Sequence, residues 1–327
     1  MSLNLVISHR GDFDGLASAS LLIRRTLREG SPFILSLKNY EDVEKIIESR
    51  FLELENSTIM ILDLPLRFGA EEEYEKLSIL SRKNNKIIWI DHHPADEKEI
   101  NTMRNVAEVY IDSSKPSATR MVYEYLELKG DKVASRIAEI ADQIDSWNFS
   151  EEMSYSIMEL VAFLKYLDNG HRLYPFLNSF VMYLAGLEGE FKLTEFYTKM
   201  IDEYRILKKK AIEIVRETFH LIAVGDYKIG VAWAPRILTG SIAGEYLLQQ
   251  ENLDYIIIVS ENGGGSVRRG REDLDCRIIA EVFGGGGHPY ASGMRLSEKP
   301  ISRREYEYIA RMIGTKLRDK FGGGSNE

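Results

Sequence analysis

Cysteine is nearly absent: Cys276 is the only one in 327 residues. A single thiol excludes an intrachain disulfide and a four-cysteine zinc site. No run of 18 apolar residues occurs, so no membrane span is expected. The opening MSLNLVISHRGD lacks a basic region followed by a long apolar core. It therefore does not read as a signal peptide, and a cytoplasmic location is expected. Positive charge is in deficit, with a formal net charge of -9. That argues against a protein that coats long nucleic acid electrostatically, though a local basic groove is compatible with it. No internal repeat is visible. Histidine is scarce as well, with six in the chain, yet two stand side by side after an aspartate in WIDHHPAD, Trp89 to Asp96.

What is present is ordinary for a globular chain: 44% hydrophobic and 28% charged residues, and length enough for two domains. Short apolar runs alternate with helical patterns at the start. Strands are expected over Leu3–Ser8, Pro32–Leu37, Ser57–Leu64 and Lys86–Asp91. Helices are expected over Gly15–Leu27, Glu41–Phe51 and Glu71–Lys83. Strands apolar on both faces, separated by amphipathic helices, imply an α/β domain with a mostly parallel sheet and helices on both faces. From Pro116 to about Lys210 the pattern turns helical, with Ile206–Phe219 as a connecting helix. A smaller α/β segment follows. Its hairpin spans Leu221–Ala234 with a Gly-Asp turn, then a helix at Ile242–Gln249 and a strand at Tyr255–Ser260. The expected division is a first domain over 1–195, a connector over 196–220 and a second domain over 221–327, with a flexible GGGSNE tail.

Four polar clusters fall at strand ends or in helical runs that could face them. They are His9, Asp12 and Asp14 in SHRGDFDG; Asp63 after IMIL; Asp91, His92 and His93; and Asp142 with Asp145 in IADQID. Taken singly, an aspartate at a strand end is more often a helix cap or turn residue, and a histidine more often a satisfied one. Together they describe something else. Carboxylates gathered without a cation repel and raise one another's pKa. Hard divalent cations want several carboxylates, and imidazole adds preference for a transition metal. In a doubly wound sheet such strand ends can converge on one rim.

These motifs, in this order, resemble the DHH phosphoesterase superfamily: HRGDFDG, ILDL, DHHP and IADQ, followed by SVRRG and VFGGGGHPYASG of the family's associated C-terminal domain. The resemblance spans nearly the whole chain. It implies one metal held by His9, Asp12 and Asp63, and another by Asp14, Asp63, His92 and Asp142, with Asp63 bridging. Asp145, three residues beyond Asp142, is the alternate. His93 would face the substrate phosphate and, with Asp63, serve catalysis. In the second domain Arg268, the loop Gly285, Gly286 and Gly287, and His288 would hold the part of the substrate remote from the metals. Without the resemblance, Arg268 reads equally well as part of a solvated charged turn, and the glycine run as a flexible turn. The helix start at Pro116 and Ser117 is read as packing.

The implied activity is hydrolysis of short single-stranded nucleic acid, such as nanoRNA, dinucleotides, or ssRNA and ssDNA ends, by two-metal activation of water. The implied cofactors are two divalent ions, Mn2+ before Mg2+ or Co2+. Expected partners are short single-stranded RNA or DNA or dinucleotides, with no membrane, and homodimerisation left open. The alternatives are a phosphatase for 3′-phosphoadenosine 5′-phosphate, a cyclic-dinucleotide phosphodiesterase, or a non-catalytic binding protein of a nucleic-acid complex. Such a binding protein would be expected to have lost metal ligands.

Overall fold

Five strands form a wholly parallel sheet in the first part of the chain, in the order β2-β1-β3-β4-β5. In this computed structural model, residues 3–39, 45–66, 71–170 and 175–321 are described. The strands are β1 (Asn4–His9), β2 (Phe33–Lys38), β3 (Thr58–Leu62), β4 (Lys86–Asp91) and β5 (Glu108–Ile111). Between them run α1 (Phe13–Arg28), α2 (Glu71–Arg82) and α3 (Glu97–Met103). Then follow α4 (Ala118–Tyr125), α5 (Lys132–Asp145), α6 (Glu152–Gly170), α7 (Phe176–Ala185) and α8 (Glu195–Glu217). The expected α/β class with a parallel sheet is observed.

The period of two along each strand sorts the core. Leu5, Ile7, Ile59, Ile61, Ile87 and Trp89 face one side and pack with Phe51, Leu77, Leu80 and Met103. On the other side lies α1, buried along most of its length and covered in turn by α4, α5 and α7. Such a central helix needs small side chains, which explains its Ala-Ser-Ala-Ser run. Gly15 is glycine for a steric reason: a Cβ there would come within 2.2 Å of the His9 carbonyl oxygen. Ser8 Oγ ties the same turn by donating to the Gly15 carbonyl at 2.7 Å. The start of α1 is thereby clamped to the end of β1.

The helix expected over Glu41–Phe51 does not form in its described part, residues 40–44 lying outside the described residues. Ser49–Glu53 is a short 3-10 turn instead. Tertiary partners hold this segment. The Ile47 N–H donates to Glu73 Oε2 at 2.9 Å, and the Glu48 carboxylate accepts from Ser36 Oγ at 3.1 Å and Lys38 Nζ at 2.9 Å. The GGGSNE tail, residues 322–327, also lies outside the described residues.

The chain divides into two compact units, Met1–Ile201 and Asp202–Glu327. The second contains β6 (His220–Val224), β7 (Tyr227–Ala234), α9 (Gly240–Gln250), β8 (Tyr255–Ser260), β9 (Gly264–Arg269), α10 (Cys276–Glu281), β10 (Gly286–His288), β11 (Ala291–Arg295) and α11 (Arg303–Phe321). Its six strands run β10-β11-β9-β8-β7-β6, parallel only between β7 and β8, the pair that α9 connects. The expected hairpin is β6 and β7, joined through Gly225 at φ +58°. Among the described residues, no helix is long and apolar enough to cross a membrane.

Candidate metal centre

The strand order reverses between β1 and β3, and a doubly wound sheet opens its crevice beyond the carboxyl ends of such strands. His9 is the last residue of β1, and Asp63 directly follows β3. His9 Nδ1 lies 3.5 Å from Asp63 Oδ2 and 3.2 Å from Asp12 Oδ2. Asp12 is the N-cap of α1, its Oδ1 accepting from the Gly15 N–H at 3.3 Å.

Asp63 is the most constrained of the set. Its backbone is left-handed, at φ +51°, which costs a non-glycine residue on the order of 1–3 kcal/mol. Its side chain is 1% exposed, and neither carboxylate oxygen has a hydrogen-bond partner. Burial raises its pKa well above the usual carboxylate range, and the charges of Asp14, Asp12, Asp91 and Asp145 push the same way. A buried carboxylate without donors is expensive unless something positive meets it.

Asp14, in the first turn of α1, is held from the opposite side. It accepts from the Ala118 N–H at 2.7 Å, the Thr119 N–H at 2.8 Å and Thr119 Oγ1 at 2.6 Å. The N-terminus of α4, capped by Ser117, therefore orients this carboxylate. The sequence pattern alone suggests only packing for that helix start. Its N-terminal signal is legible there, but its partner lies over a hundred residues away.

His92 and His93 leave the end of β4 with ring centroids 4.8 Å apart. His92 Nε2 is 3.5 Å from Asp145 Oδ2, 3.7 Å from Asp14 Oδ2 and 4.0 Å from Asp63 Oδ1. His93 Nδ1 is 2.8 Å from Asp91 Oδ1 and 3.9 Å from Asp63 Oδ1. Burial opposes charge on His93, but the hydrogen bond and charge of Asp91, with Asp12 and Asp145 behind them, raise its pKa. The sequence assigns Asp91 no role. The signal is its i, i+2 spacing from His93, which puts both on one side of an extended segment.

Among the described residues, three groups have ligand atoms close enough to hold a metal ion: His9, Asp12 and Asp63; Asp63, His92 and His93; and Asp14, His92 and Asp145. Asp63 and His92 each belong to two of them. Asp142, the aspartate preferred in IADQID, is not brought to the cluster. Asp142 accepts from Ser117 Oγ at 2.6 Å and from Arg120 Nε at 2.9 Å, so its charge is already engaged. Asp145, three residues on, is the one that reaches the cluster.

The residues expected, besides His93, to bind substrate lie in the second unit. Arg268 sits in β9 rather than in a solvated turn; its Nη2 donates to Ser241 Oγ at 2.6 Å and its Nη1 to the Val267 carbonyl at 2.9 Å. Gly286, Gly287 and His288 form the edge strand β10, paired with β11. A Cβ on Gly285 would come within 2.2 Å of the Gly293 carbonyl oxygen, whereas one on Gly286 would meet open space. Packing explains the first of these glycines and not the second. The His288 ring stacks on Tyr290 at 5.1 Å.

Residues 4–146 match the family described as DHH family, N-terminal domain. Over those residues the chain resembles a DHH domain. It is 26% identical over 256 residues to oligoribonuclease NrnB of Bacillus subtilis (strain 168), covering 74% of this chain and 60% of that protein. RecJ of Thermus thermophilus, solved in complex with Mn2+, has the same fold at TM-score 0.63 and 14% identity, over 98% of this chain and 52% of that one. An exopolyphosphatase-related protein from Bacteroides fragilis matches at TM-score 0.53 and 14% identity, over 98% and 94% of the two chains. The chain thus spans about three fifths of the curated relative's length and about half of the RecJ chain.

Proposed function

We propose that this DHH protein is a divalent-metal-dependent phosphodiesterase that hydrolyses short single-stranded nucleic acid from an end. The observation that carries the reading is Asp63: a buried carboxylate with no donor, in a left-handed turn, shared by two of the ligand groups. Its surroundings fit cations, because four further carboxylates raise its pKa and three histidines approach it. The similarity to NrnB and the RecJ-like fold agree with a nucleic-acid substrate.

In this reading His9, Asp12 and Asp63 would hold one cation, and Asp14, Asp63, His92 and Asp145 the other. Bound divalent cations would supply Lewis acidity, acidifying an attacking water and offsetting phosphoryl charge; Mn2+ suits a mixed imidazole and carboxylate set, with Mg2+ and Co2+ as alternatives. The protein's own part is alignment. The N-terminus of α4 fixes Asp14, and the turn after β3 fixes Asp63. Asp91 holds His93 through Nδ1, leaving Nε2 as the atom to donate to a phosphoryl oxygen as charge develops there. In the second unit Arg268, Gly286 and His288 would serve as a binding surface for nucleic acid, where a guanidinium suits phosphate or base contact.

Labelled RNA and DNA of graded length, incubated with Mn2+ and with metal-stripped protein, test the proposal. The expected result is metal-dependent release of mononucleotides, fastest on the shortest RNA. No turnover of any nucleic acid with any divalent ion would refute it.

A further inference from the structure

α5 closes just past Asp145 in a tight C-terminal turn. The Trp147 N–H donates to the Ile144 carbonyl at 3.1 Å and the Asn148 N–H to the Gln143 carbonyl at 2.9 Å. This pair of bonds defines a Schellman closure, with Ser146 as the C-cap and Trp147 in the left-handed position after it. That position usually takes glycine, because any Cβ is disfavoured there. Here it holds the largest side chain available, at φ +54°, and the residue is 41% exposed. Neither backbone preference nor core packing accounts for a tryptophan at this place. Strained backbone carrying an exposed functional group is what binding sites accumulate.

The other two tryptophans behave differently. Trp89 and Trp233 are buried, and their indole N–H groups donate to the Leu64 carbonyl at 2.8 Å and the Ile301 carbonyl at 2.9 Å. Trp147 is instead propped by rings. Phe149 meets it edge-on at 5.3 Å and 74°, and Tyr155 meets Phe149 at 5.3 Å and 79°. The turn that displays it contains Asp145, whose carboxylate faces His92.

We propose that Trp147 is a stacking platform for a nucleobase flanking the scissile phosphate, braced by Phe149 and Tyr155. The inference rests on the phosphodiesterase reading for what lies beside it. A flat π-face displayed two residues from a candidate metal-ligating carboxylate suits a base, because every base offers a π-face of its own. A stacked base would distinguish nucleotides from phosphoesters that lack one.

The test compares wild type, Trp147→Gly and Trp147→Phe on an adenylyl dinucleotide and on its two singly abasic analogues. Glycine suits the left-handed turn, so Trp147→Gly is expected to keep or raise Tm while removing the ring. Wild type should favour the intact dinucleotide over one abasic analogue by roughly ten- to a hundredfold in kcat/KM. Trp147→Gly should lose that preference, and Trp147→Phe should retain much of it. Separately, a phosphorothioate-linked dinucleotide should quench the emission of the one exposed tryptophan, a readout that needs no turnover. An undiminished preference in Trp147→Gly, an equal loss on all three substrates with a lowered Tm, or absent quenching would each overturn the platform. Absence of turnover by wild type together with clear quenching would support the platform and count against the phosphodiesterase reading instead.

Discussion

His93 Nδ1 lies 2.8 Å from Asp91 Oδ1, both within the motif that ends β4. Asp91 is fully buried, and its other carboxylate oxygen has no hydrogen-bond partner, so holding this ring is the role its geometry gives it. Partners of this kind typically alter activity by roughly 10- to 100-fold when removed. Asp91→Asn is therefore expected to lower kcat by about that factor while leaving bound metal unchanged. Stopped-time assays with parallel metal analysis check it. Wild-type kcat, or loss of metal along with rate, would show that Asp91 does something else.

Asp142 and Asp145 should separate cleanly. Asp145→Asn is expected to weaken Mn2+ binding and to remove most turnover. Asp142→Asn should keep the metals but destabilise the fold, by about 1–3 kcal/mol, because Arg120 and Ser117 lose a charged partner. Isothermal titration with Mn2+ and urea denaturation of both variants would reverse the assignment if the outcomes were exchanged.

Far from the site, Asp131 makes an ion pair with Arg24. The distances are 2.6 Å from Arg24 Nε and 2.6 Å from Arg28 Nη1, and Asp131 also accepts from the Val133 and Ala134 N–H groups. Burial alone would raise its pKa, but the Arg24 hydrogen bond, the Ala134 N–H and both arginine charges hold it below the ordinary 3.8. A depressed carboxylate contributes its stability above the unfolded pKa and loses it as pH falls through the folded one. Asp131→Asn, which leaves Arg24 buried without its counter-charge, should cost about 3–5 kcal/mol near neutral pH. The gap between variant and wild type should narrow as pH drops below 3.8. Urea unfolding across that range checks it, and a gap that stays constant would contradict it.

Arg268→Ala touches no candidate metal ligand. Turnover of a minimal activated diester should survive, whereas kcat/KM on oligonucleotides should fall by roughly ten- to a thousandfold as remote binding energy is lost. Equal losses on both substrates would place Arg268 in folding or in the chemistry itself.

Features that local pattern controls were legible in the sequence. Apolar runs marked β1, β3 and β4, and the polar residues at their ends marked the rim. β5 escaped because its four residues alternate between exposed and half-buried, too short and too polar to stand out. The choice between Asp142 and Asp145 escaped for another reason. Both lie on one helix at i, i+3, and only the fold shows that Arg120, approaching from α4, engages Asp142. Likewise no local signal announces that the Ala118 and Thr119 N–H groups hold Asp14, or that Asp63 and Trp147 take left-handed backbone. The failed helix at Glu41–Phe51 has the same origin, since Glu73 and Lys38 capture groups from that segment.

The central claim is that Asp63 serves two cations at once. Its most direct test is Mn2+ stoichiometry by equilibrium binding, with hydrolysis of a short RNA measured in the same samples, for wild type and Asp63→Asn. Two ions per chain in the wild type, with at least one lost in the variant together with nearly all turnover and an unchanged fold by circular dichroism, is the predicted result. An Asp63→Asn protein that still binds two ions and cleaves at the wild-type rate would contradict it.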